Sequence, residues 1–317
     1  MPNNINVLLI GSGAMSIEYF NVLKFLKINT TVVGRGEKSA NRFKEKTSKD
    51  VFIGGFEKYS TKYSVNFTHA IISVGVEKLF DVTCKVIEYG VKNILIEKPG
   101  CLSMNEFVSL KKIIGKEKNL NVFIAYNRRF FSSIIESKKL IKKDGGVKSF
   151  NFEFTEWSHT IEPLEKAKGV KELWLIGNST HVIDLAFYLG GKPSEISTYS
   201  TGGLSWHPSS SIFSGSGISD KGALFSYKAN WESAGRWSLE ILTKKNKYLF
   251  EPLEKIKVQN KGSVLLNEIK INDQLDVDFK PGLYLQTDSF LKGLFDELCS
   301  FEEQFNMLET YKRIANY

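Results

Sequence analysis

Along the first 125 or so residues, short apolar runs alternate with segments whose apolar positions recur every three or four residues. Ile5, Val7, Leu8, Leu9 and Ile10 make a run long enough for a buried parallel strand and too short for a helix. The run ends at Gly11. Beyond Gly13, Ile17, Phe20, Leu23 and Leu26 keep helical spacing, so the chain is expected to pass from strand through a glycine turn into an amphipathic helix. "TTVVG", "THAIISV", "KNILIEK" and "NVFIAYN" read as further strands. A helix is expected from about Lys78 to Tyr89, and another to about Lys118 from "SMNE" at Ser103–Glu106, which has the capping-box pattern. This alternation predicts a doubly wound parallel sheet, an α/β class of fold.

After Asn127 the pattern changes. A helix from about Phe130 to Lys143 ends at Gly145–Gly146, and strand signals then dominate to about residue 280: "VKSFNFEFTEW", "SEISTYST", "GALFSYKANWE", "WSLEILT" and "KYLFEPLEKIKV". Several alternate and are parted by turns, which predicts a largely antiparallel open sheet. A helix around residues 172–189 interrupts them, and a helical segment from about Thr287 closes the chain. "SWHPSSSIFSGSGISDKG" is polar and glycine-rich enough to be expected as a mobile loop. At 317 residues the chain suits two domains, expected over 1–126 (Rossmann-type, dinucleotide-binding) and 127–317 (α+β, substrate-binding and oligomerising).

Composition narrows the classes. With 42% hydrophobic and 25% charged residues the chain reads as soluble and globular. Its most hydrophobic helix-like stretch, "ELWLIGNSTHVIDLAFYLGG", carries Asn178, His181 and Asp184, which suits a buried, site-forming helix and not a membrane span. A strand begins almost at once, leaving no room for a leader, so a cytoplasmic location is expected. Cys84, Cys101 and Cys299 are far apart and form no CxxC pair, which argues for a reducing compartment without a disulfide framework or a metal site. The formal charge of +8 is spread over lysine pairs such as Lys111–Lys112 and Lys142–Lys143. Solvated helix faces explain these more simply than nucleic acid does, and a basic surface favours anionic small molecules.

The glycine turn carries backbone chemistry. Gly11 allows the tight bend, Gly13 lets a pyrophosphate approach the main chain, and the helix start around Ser12, Ala14 and Met15 offers N–H groups to the anion. Ser16 stands where a third glycine or alanine is usual. An NAD site calls for an acidic residue at the end of the second strand, roughly 20 residues on. Here Gly34 occupies that place and Arg35 follows. A guanidinium pairs with a 2′-phosphate and stacks on adenine, whereas a carboxylate would repel that phosphate. Ser39, Lys38 and Arg42 are nearby candidates for further phosphate contacts. NADP is therefore expected over NAD; the alternative leaves Arg35 in solvent, with Glu37 taking the ribose of NAD.

Three further motifs follow in order: "IEKPG" at Ile96–Gly100, "AYNRRF" at Ala125–Phe130 and "STHVIDLAFYLGGKP" at Ser179–Pro193. Together with "GSGAMS" the chain resembles the glucose-fructose oxidoreductase and inositol dehydrogenase family, Gfo/Idh/MocA, over nearly its whole length. The resemblance implies that Lys98 reaches the active site and polarises a substrate oxygen, with Glu97, Ser73 and Val74 beside the coenzyme. It implies that His181 gives or takes a proton at the carbon undergoing hydride transfer, and that Tyr126, Asn127 and Arg128 lie near the ligand mouth. Asp184 either orients His181 or caps a polar stripe; Trp157, His159 and Trp174 either line a sugar pocket or belong to the core. A homodimer or homotetramer is implied as well.

Two departures stand out. The family commonly has an aspartate four residues before the histidine, where this chain has Gly177 followed by Asn178, a residue able to position a substrate but not to act as a base. After "AIISV" the family's proline and later histidine are also missing. The expected function is an NAD(P)-dependent oxidoreductase moving hydride to or from a sugar, cyclitol or nucleotide-linked sugar. Two other readings stay open: a non-catalytic nucleotide-binding regulator, and an enzyme using the nicotinamide transiently for hydrolysis or elimination.

Overall fold

The computed structural model describes residues 5–317, which form two compact units. The first runs to Asn127 and is completed by Leu275–Asn306; the second comprises Arg128–Gln274 and Met307–Tyr317. The segment after Gln274 thus returns to the first unit before the chain ends in the second.

In the first unit, strands β1 (Asn6–Ile10), β2 (Asn29–Gly34), β3 (Phe52–Ile53), β4 (His69–Ile72), β5 (Asn93–Glu97) and β6 (Asn121–Ala125) are parallel and lie in the order β6-β5-β4-β1-β2-β3. The central strands are buried on both faces, which is why they read as unbroken apolar runs. The capping box at Ser103 is formed, with Glu106 N–H donating to the Ser103 hydroxyl, and that helix stops at Ile114, short of the expected end. The helix Leu283–Lys292 covers part of this sheet: Phe290 meets the His69 ring edge-on at 5.0 Å, and Phe295 lies 4.6 Å from Phe123.

The second unit holds eight strands: β7 (Ser149–Glu153), β8 (Pro193–Thr201), β9 (Ile212–Ser219), β10 (Leu224–Asn230), β11 (Ser238–Leu242), β12 (Asn246–Phe250), β13 (Lys257–Asn260) and β14 (Asn267–Glu268). Only β7 and β10 pair in parallel; the rest of the sheet is antiparallel. Phe150, Phe152, Phe225, Tyr227, Leu239 and Ile241 fill one face, while Asn151, Ser226 and Glu240 occupy alternate positions. The first sheet gains one further strand, β15 (Cys299–Ser300), antiparallel to β6, which the pattern did not foretell.

Two expectations are corrected here. The polar segment "SWHPSSSIFSGSGISDKG" is not simply a loop, because its second half forms β9, paired on both sides. Its glycines exist for close packing: a Cβ on Gly215 would run into Tyr227, and one on Gly217 would meet Phe225 and the Glu195 carbonyl. The helix around 172–189 is not uniform. Leu175–Ser179 is a π segment, and α-helix proper runs from Thr180 to Gly190.

Among the described residues no helix is long and apolar enough to cross a membrane. Burial in the first unit also sets an acid response, because desolvation lowers the His69 imidazole to about 4. A depressed folded pKa means that the unfolded chain binds the extra proton first, so this stabilisation is present above about 6.5 and is lost as pH falls toward about 4. His69→Asn should remove the contribution. On acidification across this window the unfolding free energy from urea titrations should fall by up to about 3 kcal/mol more in the parent than in the variant, and parallel curves would contradict the assignment.

Candidate active site

The strand-to-helix turn is shaped by what cannot fit in it. Gly11 has φ +124°, donates its N–H to the Val33 carbonyl at 2.8 Å and leaves no room for a Cβ against the Ser73 carbonyl. Ser16 reaches that carbonyl with its hydroxyl at 3.2 Å, so it pins the end of β4 where the usual third glycine would only pack. Gly13 is the N-cap of the helix Ala14–Phe25, with no side-chain cap and no acid in the first turn. Gly13 and Ala14 are exposed, Met15 is half-buried, and a Cβ on Gly13 would meet nothing within 4 Å. The first-turn amides thus face open space with the positive end of the helix dipole behind them, a seat that fits a pyrophosphate.

At the end of β2 the structure gives a reason for the missing carboxylate. A Cβ on Gly34 would lie 2.6 Å from the Ser12 hydroxyl and 2.9 Å from a Val51 methyl, so an acidic side chain there would require both neighbours to shift. The Ser12 hydroxyl donates instead to Ser39 at 2.9 Å, and Ser39 to the Gly36 carbonyl at 3.0 Å. Gly36 caps the helix Glu37–Thr47 without a side chain, Arg35 is exposed beside Gly55, and Lys38 and Arg42 lie exposed on that helix. Ser73 and Val74 follow β4 directly.

The Glu97-Lys98-Pro99 turn is tied down by residues that nothing in the sequence signalled. The Tyr19 hydroxyl, from the first helix, donates to the Glu97 carboxylate at 2.8 Å. Burial pushes this carboxyl above the usual range, while the Tyr19 hydrogen bond and the charges of Lys98 and Lys280 pull it back. The Lys98–Pro99 peptide is cis. Gln304 donates to the Pro99 carbonyl at 3.1 Å and accepts from the Tyr126 hydroxyl at 3.1 Å, and the Asn127 amide donates to the Pro281 carbonyl at 2.9 Å. Tyr126 therefore braces the turn through Gln304, while Asn127 ties the end of β6 to Pro281.

In the second unit, His181 is 7% exposed on the helix Thr180–Gly190, its ring centroid 6.1 Å from that of Trp237. Just before the helix, the π segment holds Asn178 and Ser179. Both donate to one oxygen of Glu156, at 2.9 and 2.8 Å. Glu156 is only 1% exposed, and its other oxygen accepts from Arg236 at 3.3 Å. Sequence reasoning missed this carboxylate, which lies within "FTEWS" with no motif around it. Asp184 is gripped by Arg129 through Nε at 2.8 Å and Nη2 at 2.5 Å, a buried bidentate pair. Arg128 lies over the Trp237 ring at 4.6 Å. Trp157 is exposed, Trp174 packs edge-on against Trp206 at 6.1 Å, and His159 is exposed on a short helix.

The chain combines a Rossmann-like, mostly parallel sheet with a second, largely antiparallel sheet, and solved structures share this fold. No family model and no curated protein sequence matches the chain. Solved structures do. It is similar to a dehydrogenase (MviM) from Clostridium difficile, with 17% identity over 99% of each chain and a TM-score of 0.78. Levoglucosan dehydrogenase, in complex with NADH and levoglucosan, aligns at 17% identity over 99% of this chain and 96% of its own, TM-score 0.78. UDP-N-acetylglucosamine 3-dehydrogenase GnnA from Acidithiobacillus ferrooxidans aligns at 13% identity over 98% and 96%, TM-score 0.74.

The Arg129–Asp184 pair sets a stability test. Arg129→Met leaves a buried carboxylate without its guanidinium and should cost about 3–5 kcal/mol in urea unfolding, while Arg129→Met/Asp184→Leu should recover most of it. A single variant as stable as the parent would show that the pair does not hold this helix.

Proposed function

We propose that the chain is an NADP-dependent oxidoreductase that moves hydride to or from a carbinol carbon of a sugar-type substrate. The observation that carries this is the packing around Gly34. It disfavours the carboxylate an NAD ribose would want, and sets two serine hydroxyls, an uncapped helix start and the exposed Arg35 beside that place. Bound at the open amides of Gly13, Ala14 and Met15, the coenzyme supplies or accepts the hydride. The named neighbours support the substrate class: one is a levoglucosan dehydrogenase and another acts on UDP-N-acetylglucosamine.

The chain's own residues then divide the work. The Lys98 ammonium hydrogen-bonds the substrate oxygen and stabilises the charge that gathers on it. His181 takes the hydroxyl proton as the carbinol becomes a carbonyl and returns it in reverse, a role suited to imidazole, whose ring nitrogens can both accept and donate a proton. Asn178, tied to Glu156 through its amide nitrogen, positions the substrate by hydrogen bonds and does not act as a base.

NADPH should bind more tightly than NADH by about tenfold or more, and Arg35→Ala should erase most of that margin. Dissociation constants from coenzyme fluorescence decide this, with equal affinities counting against it. Lys98→Ala and His181→Ala should each lower turnover by about 10²–10⁴ while NADPH still binds, read as the change in near-ultraviolet absorbance of the coenzyme. Parent-like turnover in either variant contradicts its role.

A further inference from the structure

Arg236 is held in a way that a structural arginine does not need. Its guanidinium lies over the Trp157 ring at 4.8 Å and over the Trp237 ring at 4.7 Å, between the two indoles. One edge meets the buried Glu156 carboxylate at 3.3 Å, and the side chain is still 45% exposed. Trp157 is itself fixed, its indole N–H donating to the Gly235 carbonyl at 2.8 Å. Stacking sets the plane of the guanidinium and Glu156 sets its rotation, while only one of its five donors is used.

The wall belongs to the neighbourhood of His181. Trp237 is 6% exposed, with its ring centroid 6.1 Å from the imidazole, and Glu156 also anchors Asn178 and Ser179, which precede His181 in the chain. Glu156 does not cancel the guanidinium's use, because the carboxylate also accepts from Asn178 and Ser179, at 2.9 and 2.8 Å, both shorter than its 3.3 Å contact with Arg236. A planar fork set against two indoles, with nearly half of its side chain exposed, is suited to a bidentate oxyanion. A neutral hydroxyl would need no such arrangement.

Building on the reading of the chain as a sugar oxidoreductase, we propose that Arg236 binds an oxyanion carried by the substrate, so that the substrate is a sugar derivative bearing a carboxylate or a phosphate. Calorimetric titration of the full chain with NADPH present, using glucose, glucuronate, glucose 1-phosphate and UDP-glucose, tests this. At least one of the three anions should bind about tenfold or more tightly than glucose; glucuronate leading identifies a carboxylate, and either phosphorylated compound leading identifies a phosphate. Arg236→Gln should abolish the preference, and Arg236→Lys, which keeps the charge but loses the fork, should lose most of it. Glu156→Gln/Arg236→Gln, which leaves no unpaired buried carboxylate, should behave like Arg236→Gln, and unchanged NADPH affinity reports that each variant is folded. No preference for any anion, or a preference that survives Arg236→Gln, overturns the proposal. Hydride transfer with the anionic sugars at an unchanged kcat/KM in Arg236→Gln would sink the oxyanion site and leave the oxidoreductase standing. Oxyanion binding without hydride transfer would do the reverse.

Discussion

The absence of a side chain at two points governs the first unit. At Gly11 the main chain bends with a positive φ against the Ser73 carbonyl, and at Gly34 it passes so close to Ser12 that a methyl group would already collide. These contacts bring the ends of β1, β2 and β4 together and leave the amides of the first helix facing outward. They also decide the chemistry of the second position. With glycine at the end of β2 the chain has no carboxylate there to accept from ribose hydroxyls, and what surrounds the place instead is hydroxyl, amide and guanidinium.

In the second unit the corresponding constraint is how closely the Thr180–Gly190 helix approaches the sheet. Phe187 meets Phe150, Phe152 and Phe225 edge-on at 6.0, 5.6 and 5.2 Å, and Gly190 is where a Cβ would strike the Phe150 ring. The Arg129–Asp184 pair adds a buried electrostatic tether on the same helix. The π segment ahead of it changes the register of residues 175–179, a device often found where a helix serves a site. Gly177 lies inside that segment, so the assumption that a residue four positions before His181 sits one α-helical turn away does not hold there. The carboxylate at this end of the helix arrives from Glu156 instead.

Much of the fold was legible because apolar runs of five or so residues, bounded by glycines and cap signals, admit few structures. β1, the glycine turn and the capping box at Ser103 follow from local chemistry. What stayed hidden depends on pairing across long stretches of sequence. Tyr19 finds Glu97, Gln304 finds Pro99, Arg129 finds Asp184, and Glu156 finds Asn178 and Arg236; each is an ordinary polar residue until the fold brings its partner. The β9 glycines misled for a related reason, since glycine signals a loop locally and a close contact in a packed sheet. Likewise Asp184 was read with His181, its neighbour on the helix, because the sequence gives no sign of the arginine that grips it.

The central claim, that outward-facing amides at Gly13–Met15 and the cationic corner after Gly34 hold a 2′-phosphorylated dinucleotide, is tested most directly by amide hydrogen exchange. Exchange of the 9–20 and 33–42 segments would be followed with NADPH and with NADH at equal concentration. The account predicts protection of both segments by NADPH and weaker protection, confined mainly to the first, by NADH. Slowed exchange elsewhere with neither segment affected, or equal protection of the second segment by both coenzymes, would contradict it.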